Sequence, residues 1–172
     1  MYVGAFGAAE PAPSAVGTAP DSNTWTDVGA TRGGVMLRFA PSFSEFEVDQ
    51  LVDKAGARLV SREFTLVTEL AEATLANLDI AFNDTVSASG SGYDSREPAD
   101  PSAAVDPTYR AFIVDGWAPG AGKMRRIIVR RALQVAQFEA AYRRDDETVF
   151  PVELRAYYVS ASIRPLEIID QL

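Results

Sequence analysis

The chain contains no cysteine and no histidine. Their joint absence excludes disulfide staples, thiolate nucleophiles, Cys/His zinc centres and every triad or general-base scheme that needs an imidazole. A chain without disulfides is compatible with folding in a reducing cytoplasm. Basic residues are also scarce: 16 Lys and Arg stand against 24 Asp and Glu, a net charge of −8. Such a balance argues against tight binding to nucleic acid through its phosphates. The apolar stretch Met1 to Phe6 has neither a basic flank nor enough length for a secretion signal, and no run is long enough to span a bilayer, so no membrane role is expected.

What is present is ordinary for a folded chain. The 172 residues are 47% apolar and 23% charged. A single domain of that length buries roughly 70% of the surface its unfolded chain exposes. Residues 1–31 read as an extended arm, because 8–31 is rich in Ala, Pro, Ser and Gly and holds Trp25 as its one large apolar anchor. The domain proper then spans 32–172.

Within it, Val35, Leu37 and Phe39, followed by Phe43, Phe46 and Val48, predict two strands broken at Pro41. Arg58 to Leu70 alternates as a long strand. Leu75, Leu78 and Phe82 fall at helical spacing within 71–82, with Asn83 as the stop. Residues 83–107, crowded with Gly, Ser, Pro and Asp, read as an unusually long loop. Tyr109 to Trp117, Arg125 to Gln137 and Thr148 to Val159 read as strands, the last with Phe150, Val152, Leu154, Ala156 and Tyr158 on one face. The expected fold is mainly β, a sandwich or barrel of about seven strands with one packed helix.

Few motifs carry chemistry. Gly116 to Lys123 has the glycines and lysine of a phosphate loop, but Trp117 stands where Walker A requires Gly, and Met124 where it requires Ser or Thr. A hairpin turn is the better reading. Asp145, Asp146 and Glu147 match no cation-loop spacing and read as a solvated turn. Arg125, Arg126, Arg130 and Arg131 divide between the two faces of a strand, which favours ion pairing within or between subunits over a phosphate stripe. Trp117, Tyr109, Tyr157 and Tyr158 could form the platform of a carbohydrate-binding sandwich. Alternation instead sets Tyr158 and Trp117 among apolar neighbours, on the core side. No catalytic residue, cofactor site or metal site is assigned.

The order of these features resembles the major tail tube proteins of long-tailed, siphovirus-like bacteriophages. The resemblance lies in Thr24-Trp-Thr-Asp-Val-Gly29, Gly33-Gly-Val35, Glu45-Phe-Glu-Val-Asp-Gln50, Glu63-Phe-Thr-Leu-Val67, Leu70 to Leu78 and the closing Phe150-Pro-Val-Glu-Leu-Arg-Ala156. It spans most of residues 24–160.

The resemblance implies a structural, non-enzymatic virion protein assembled in the host cytoplasm. Its subunits would form six-fold rings stacked into a hollow tube that conducts double-stranded DNA, with tape measure, tail terminator and distal tail proteins as partners. Other β-rich virion parts, a tail terminator or a decoration protein, are the nearest alternatives.

Alternation predicts that Phe46, Val48, Phe64 and Leu66 share the core face, leaving Glu45, Glu47, Asp49 and Glu63 opposite. The resemblance makes that opposite face the tube lumen; an outer face, or pairing to the arginines above, is the competing reading. Trp25, Asp53, Lys54, Arg126 and Arg130 are expected at inter-subunit contacts. Residues 8–31, 51–57 and 83–107 are expected to be loosely packed until neighbouring subunits order them.

Overall fold

The computed structural model describes residues 1–50, 52–99, 106–145 and 147–172. Among them the chain forms β1 (Tyr2–Ala5), β2 (Trp25–Asp27), β3 (Thr31–Phe46), β4 (Gly56–Leu70), α1 (Leu75–Ala81), β5 (Thr85–Gly90), β6 (Tyr93–Pro98), β7 (Arg110–Trp117), β8 (Met124–Gln134), β9 (Phe150–Ala156) and β10 (Leu166–Asp170). The fold is mainly β and antiparallel with one helix, as expected, although the strands number ten rather than seven. Eight join one sheet in the order β2-β1-β7-β8-β9-β4-β3, with β10 also on β8, and β5-β6 form a separate hairpin. One flank of β8 is shared: β10 pairs with Arg125 to Val129, and β9 with Ala132 to Gln134.

Alternation sends side chains to both faces, and both are covered along the middle of the sheet. On one face Leu66, Leu70, Phe112, Val129, Phe150, Val152 and Leu154 bury together with Ile80 and Ala81 of α1. Each large apolar side chain so buried contributes about 1.5–3 kcal/mol. On the other face Ala111, Ile113 and Ile128 pack under Trp25. The helix begins where the Thr74 hydroxyl accepts the Asn77 amide N–H at 3.2 Å. It ends before Asn83, whose φ of 65° breaks the spiral. The Asn83 side-chain amide then donates to Gln134 O at 2.8 Å and accepts from Gln134 N at 2.7 Å, pairing with β8 as a strand backbone does.

Four expectations are corrected. Pro41 does not break β3: the strand runs through it because β3 is an edge strand and pairs only with β4, so the missing N–H faces no partner. The segment expected as an arm belongs to the sheet, since β1 pairs with both β2 and β7.

The segment expected as the loop 83–107 contains the β5-β6 hairpin, anchored where Asp79 accepts from Thr85 Oγ1 and Arg96 Nε; residues 100–105 of that segment, like Leu51 of 51–57, lie outside the described residues. Finally Trp117 and Tyr158 are not in the core. Trp117 is 78% exposed and Tyr158 67%, because each lies at or past the end of its strand, beyond the layers that cover the sheet.

The arm is latched rather than free. Arg126, only 1% exposed, forms a two-pronged pair with Asp115 at 2.6 and 2.7 Å and donates also from Nη1 to Ala15 O at 3.2 Å and from Nη2 to Thr18 O at 2.7 Å. Trp25 Nε1 donates to Ala9 O at 2.9 Å. Arg130 reaches Glu10 through Nε at 2.6 Å, and also binds Glu167.

Substituting Arg126→Ala strands the partly buried Asp115 carboxylate and two carbonyls, an expected loss of about 3 kcal/mol. Limited proteolysis should then cut between residues 6 and 24, whereas unchanged melting and an uncut arm would contradict the latch.

The C-terminal strand carries a pH-dependent tie. Arg125 donates to both Asp170 oxygens at 2.6 and 2.7 Å, and these hydrogen bonds hold the Asp170 carboxyl below its ordinary range. With its pKa lower folded than unfolded, Asp170 contributes stability above the ordinary aspartate value of about 3.9, and the contribution disappears as pH falls through the folded value. Amide exchange across β10 should therefore accelerate on acidification below about pH 4. In Asp170→Asn that acid-dependent step should vanish; its persistence would assign it to another group.

Candidate assembly surface

β4 bonds to β9 only from Thr65 to Leu70, and β3 bonds only to β4. From Phe39 to Phe64 the two strands therefore project as a ribbon with neither edge paired among the described residues. A two-stranded ribbon is marginal in water by itself. This one has local supports: Phe39 stacks on Phe64 at 4.9 Å, Arg62 lies over Phe64 and Arg58 over Phe46, and Lys54 pairs with Glu45 near the tip. Yet Phe39, Phe43, Phe46, Leu59 and Val60 all remain exposed. Contiguous apolar exposure of this kind marks an interface.

The register places Phe39, Phe43, Leu59 and Phe64 on one face of the ribbon, while the other carries Glu63, Ser42, Ser61, Ser44 and Arg58, with Phe46 near its tip. Ser42 opposes Ser61 but Phe43 opposes Leu59, so Val60 has no partner and alternation slips by one residue. Glu63 lies opposite Ala40, while Glu45 lies opposite Ala57. Ala40 and Glu45 are five residues apart along β3, an odd spacing that sets them on opposite faces. The four carboxylates expected in one row are thus divided. Glu63 sits on the open sheet face with Thr65, 3.0 Å from Arg155. Glu45, Glu47 and Asp49 cluster toward the ribbon tip, Glu45 in β3 and the other two past its end.

Of the residues expected at inter-subunit contacts, Asp53 and Lys54 lie exposed at that tip. Trp25 and Arg126 do not qualify: they are 2% and 1% exposed, spent on fixing the arm. Arg130 is mostly buried between Glu10 and Glu167. The arginines of β8 all find partners within the chain, Arg131 through Tyr158 O at 3.0 Å and the faces of Tyr109 and Phe6. Their hydrogen bonds raise the pKa of Arg125, chiefly through Asp170, and of Arg130, chiefly through Glu10.

The remaining motifs resolve simply. Gly116 to Lys123 is a hairpin turn closed by the Trp117 to Met124 pair and by Ala118 N donating to Lys123 O at 3.0 Å. Gly120 and Gly122 supply its positive φ values of 115° and 74°. Tyr109 and Tyr157 meet edge to face at 5.5 Å, but Trp117 lies at the far end of β7, so these aromatics make no single platform. Asp146 of the acidic trio lies outside the described residues. Among the described residues no group of three or more His, Cys, Asp or Glu side chains is placed to hold a metal ion.

Sequence reasoning missed Phe6 and Ile163, both exposed. Phe6 follows a strand too short to show a period, and Ile163 lies in a loop between strands.

No individual curated protein matches the chain. A family model does, and it extends past both ends of the motif-bearing segment, across the arm and into β10. That model, described as phage tail tube protein, matches residues 1–169, and the chain belongs to this family of structural proteins of the virion tail.

Proposed function

We propose that copies of this chain associate into six-fold rings, that the rings stack into a hollow tube, and that double-stranded DNA passes through it into the host. Assembly takes place in the host cytoplasm, with the tape measure, terminator and distal tail proteins as further partners. One observation carries the reading: a member of this family bears a ribbon with two open edges and a face on which Phe39, Phe43 and Leu59 are exposed. Joining such edges between subunits converts an aggregation hazard into a continuous wall.

Negative-stain microscopy of the concentrated protein should show rings or tubes. A chain that stays strictly monomeric at high concentration sinks the proposal. Phe43→Ser with Phe46→Ser should leave the melting temperature within a few degrees while blocking assembly, since both side chains are exposed in the single subunit.

We further propose that the acidic ribbon tip, Glu45, Glu47 and Asp49, faces the channel, while Glu63, on the opposite face and paired with Arg155, does not join it. Negative groups repel the phosphate backbone and let it slide, a repulsion screened beyond roughly 8 Å and so felt only by a closely fitting duplex. Lys54 offsets Glu45, which leaves Glu47 and Asp49, without ion pairs among the described residues, as the stronger repulsive pair. In an assembled tube, these two carboxylates are expected on the inner wall. Finding them on the exterior, or locked to arginines of a neighbour, refutes the lumen assignment and leaves the tube intact.

A further inference from the structure

The largest exposed apolar side chain outside the ribbon is Trp117, the last residue of β7, standing at the tip of the β7-β8 turn. At the other end of β7 lies a cavity of about 260 Å³, open to solvent and floored by Trp25, Ala111 and Ile128. Phe6 and Ile163 form its mouth, each 47% exposed. Six residues of extended chain separate Ala111 from Trp117, about 20 Å. Knob and hole therefore belong to opposite ends of one rigid hairpin, too far apart to meet within a chain.

A knob on one surface that matches a hole on another generates a head-to-tail contact between copies, and such contacts propagate as open filaments when they do not close.

We propose that Trp117 of one copy seats in this cavity of a copy in the next ring; the inference rests on the stacked-ring reading and supplies it with a specific axial contact. The cavity rim carries both signs of charge, Glu10 paired with Arg130 and Arg131 over the Phe6 ring, so the contact is driven by burial of the indole rather than by an ion pair.

The absence of cysteine makes the test clean. The double variant Trp117→Cys, Ile163→Cys, treated with a short bismaleimide, should give a ladder of covalent multimers extending past six copies, whereas each single variant gives none. Both positions are exposed, and an unchanged melting curve verifies folding. Trp117→Ala should weaken stacking by roughly tenfold or more, the loss expected of a buried aromatic anchor, with rings retained. Trp117→Phe should restore part of it.

Tubes of normal length from Trp117→Ala, or no ladder from the double variant in preparations that form tubes, overturn the contact and leave the tube reading standing. A ladder that stops at six places the contact within a ring and overturns the axial assignment. Wild-type protein that never stacks overturns both.

Discussion

Burying a guanidinium is costly unless its nitrogens find partners, and all three of Arg126 do so only because the N-terminal segment folds back over the sheet. The pair with Asp115 fills one edge of the group; the carbonyls of Ala15 and Thr18 accept from Nη1 and Nη2. Much follows from this one requirement. The path of the arm is fixed, Trp25 is pressed onto Ala111 and Ile128, and Glu10 is carried to Arg130. The second face of the sheet is thereby closed, with an opening left beside Glu10. A sheet covered on both faces is a stiff plate, and the ribbon of β3 and β4 projects from one side of it.

That ribbon is the part of the subunit least able to justify itself alone. In the body, apolar groups are covered by the helix on one side and the arm on the other. Past Phe64 the face that continues the core, with Phe39, Phe43 and Leu59, meets water, and among the described residues the strand edges have no partners. The contrast within one pair of strands, covered at the base and bare toward the tip, is what a subunit made for an assembly should show, and membership of the tail tube family gives the assembly its form.

Much of this was legible in the sequence, for physical reasons that differ by element. β9 announced itself because Phe150, Val152 and Leu154 face a continuous core, so burial imprinted a period of two. The helix was legible through its own period and through Asn83, which tolerates the left-handed backbone. The ribbon's long strands were visible, but their shared register was not: one unpaired residue at Val60 inverts the alternation, and nothing in the composition around it signals a bulge.

β1, β2 and β10 escaped notice because three to five residues cannot display a period and their stability comes from distant partners, Phe112 for Val3 and Ile127 for Ile168. Trp25 was rightly singled out as an anchor, but its partner surface was invisible until β7 and β8 came together. Alternation misjudged Trp117 and Tyr158 because it reports only which face a side chain takes, not where the covering layer stops.

The two irregularities of β3 and β4 also bear on torsion. Gly33 and Gly34, both at positive φ, insert extra residues near the base of the ribbon, and Val60 inserts another further out. Each bulge adds local right-handed coiling to the pair of strands. The ribbon therefore leaves the plate rotated as well as extended, and always by the same hand. The direction in which the apolar face of the ribbon points away from the plate is thus set by three surplus residues in one hairpin.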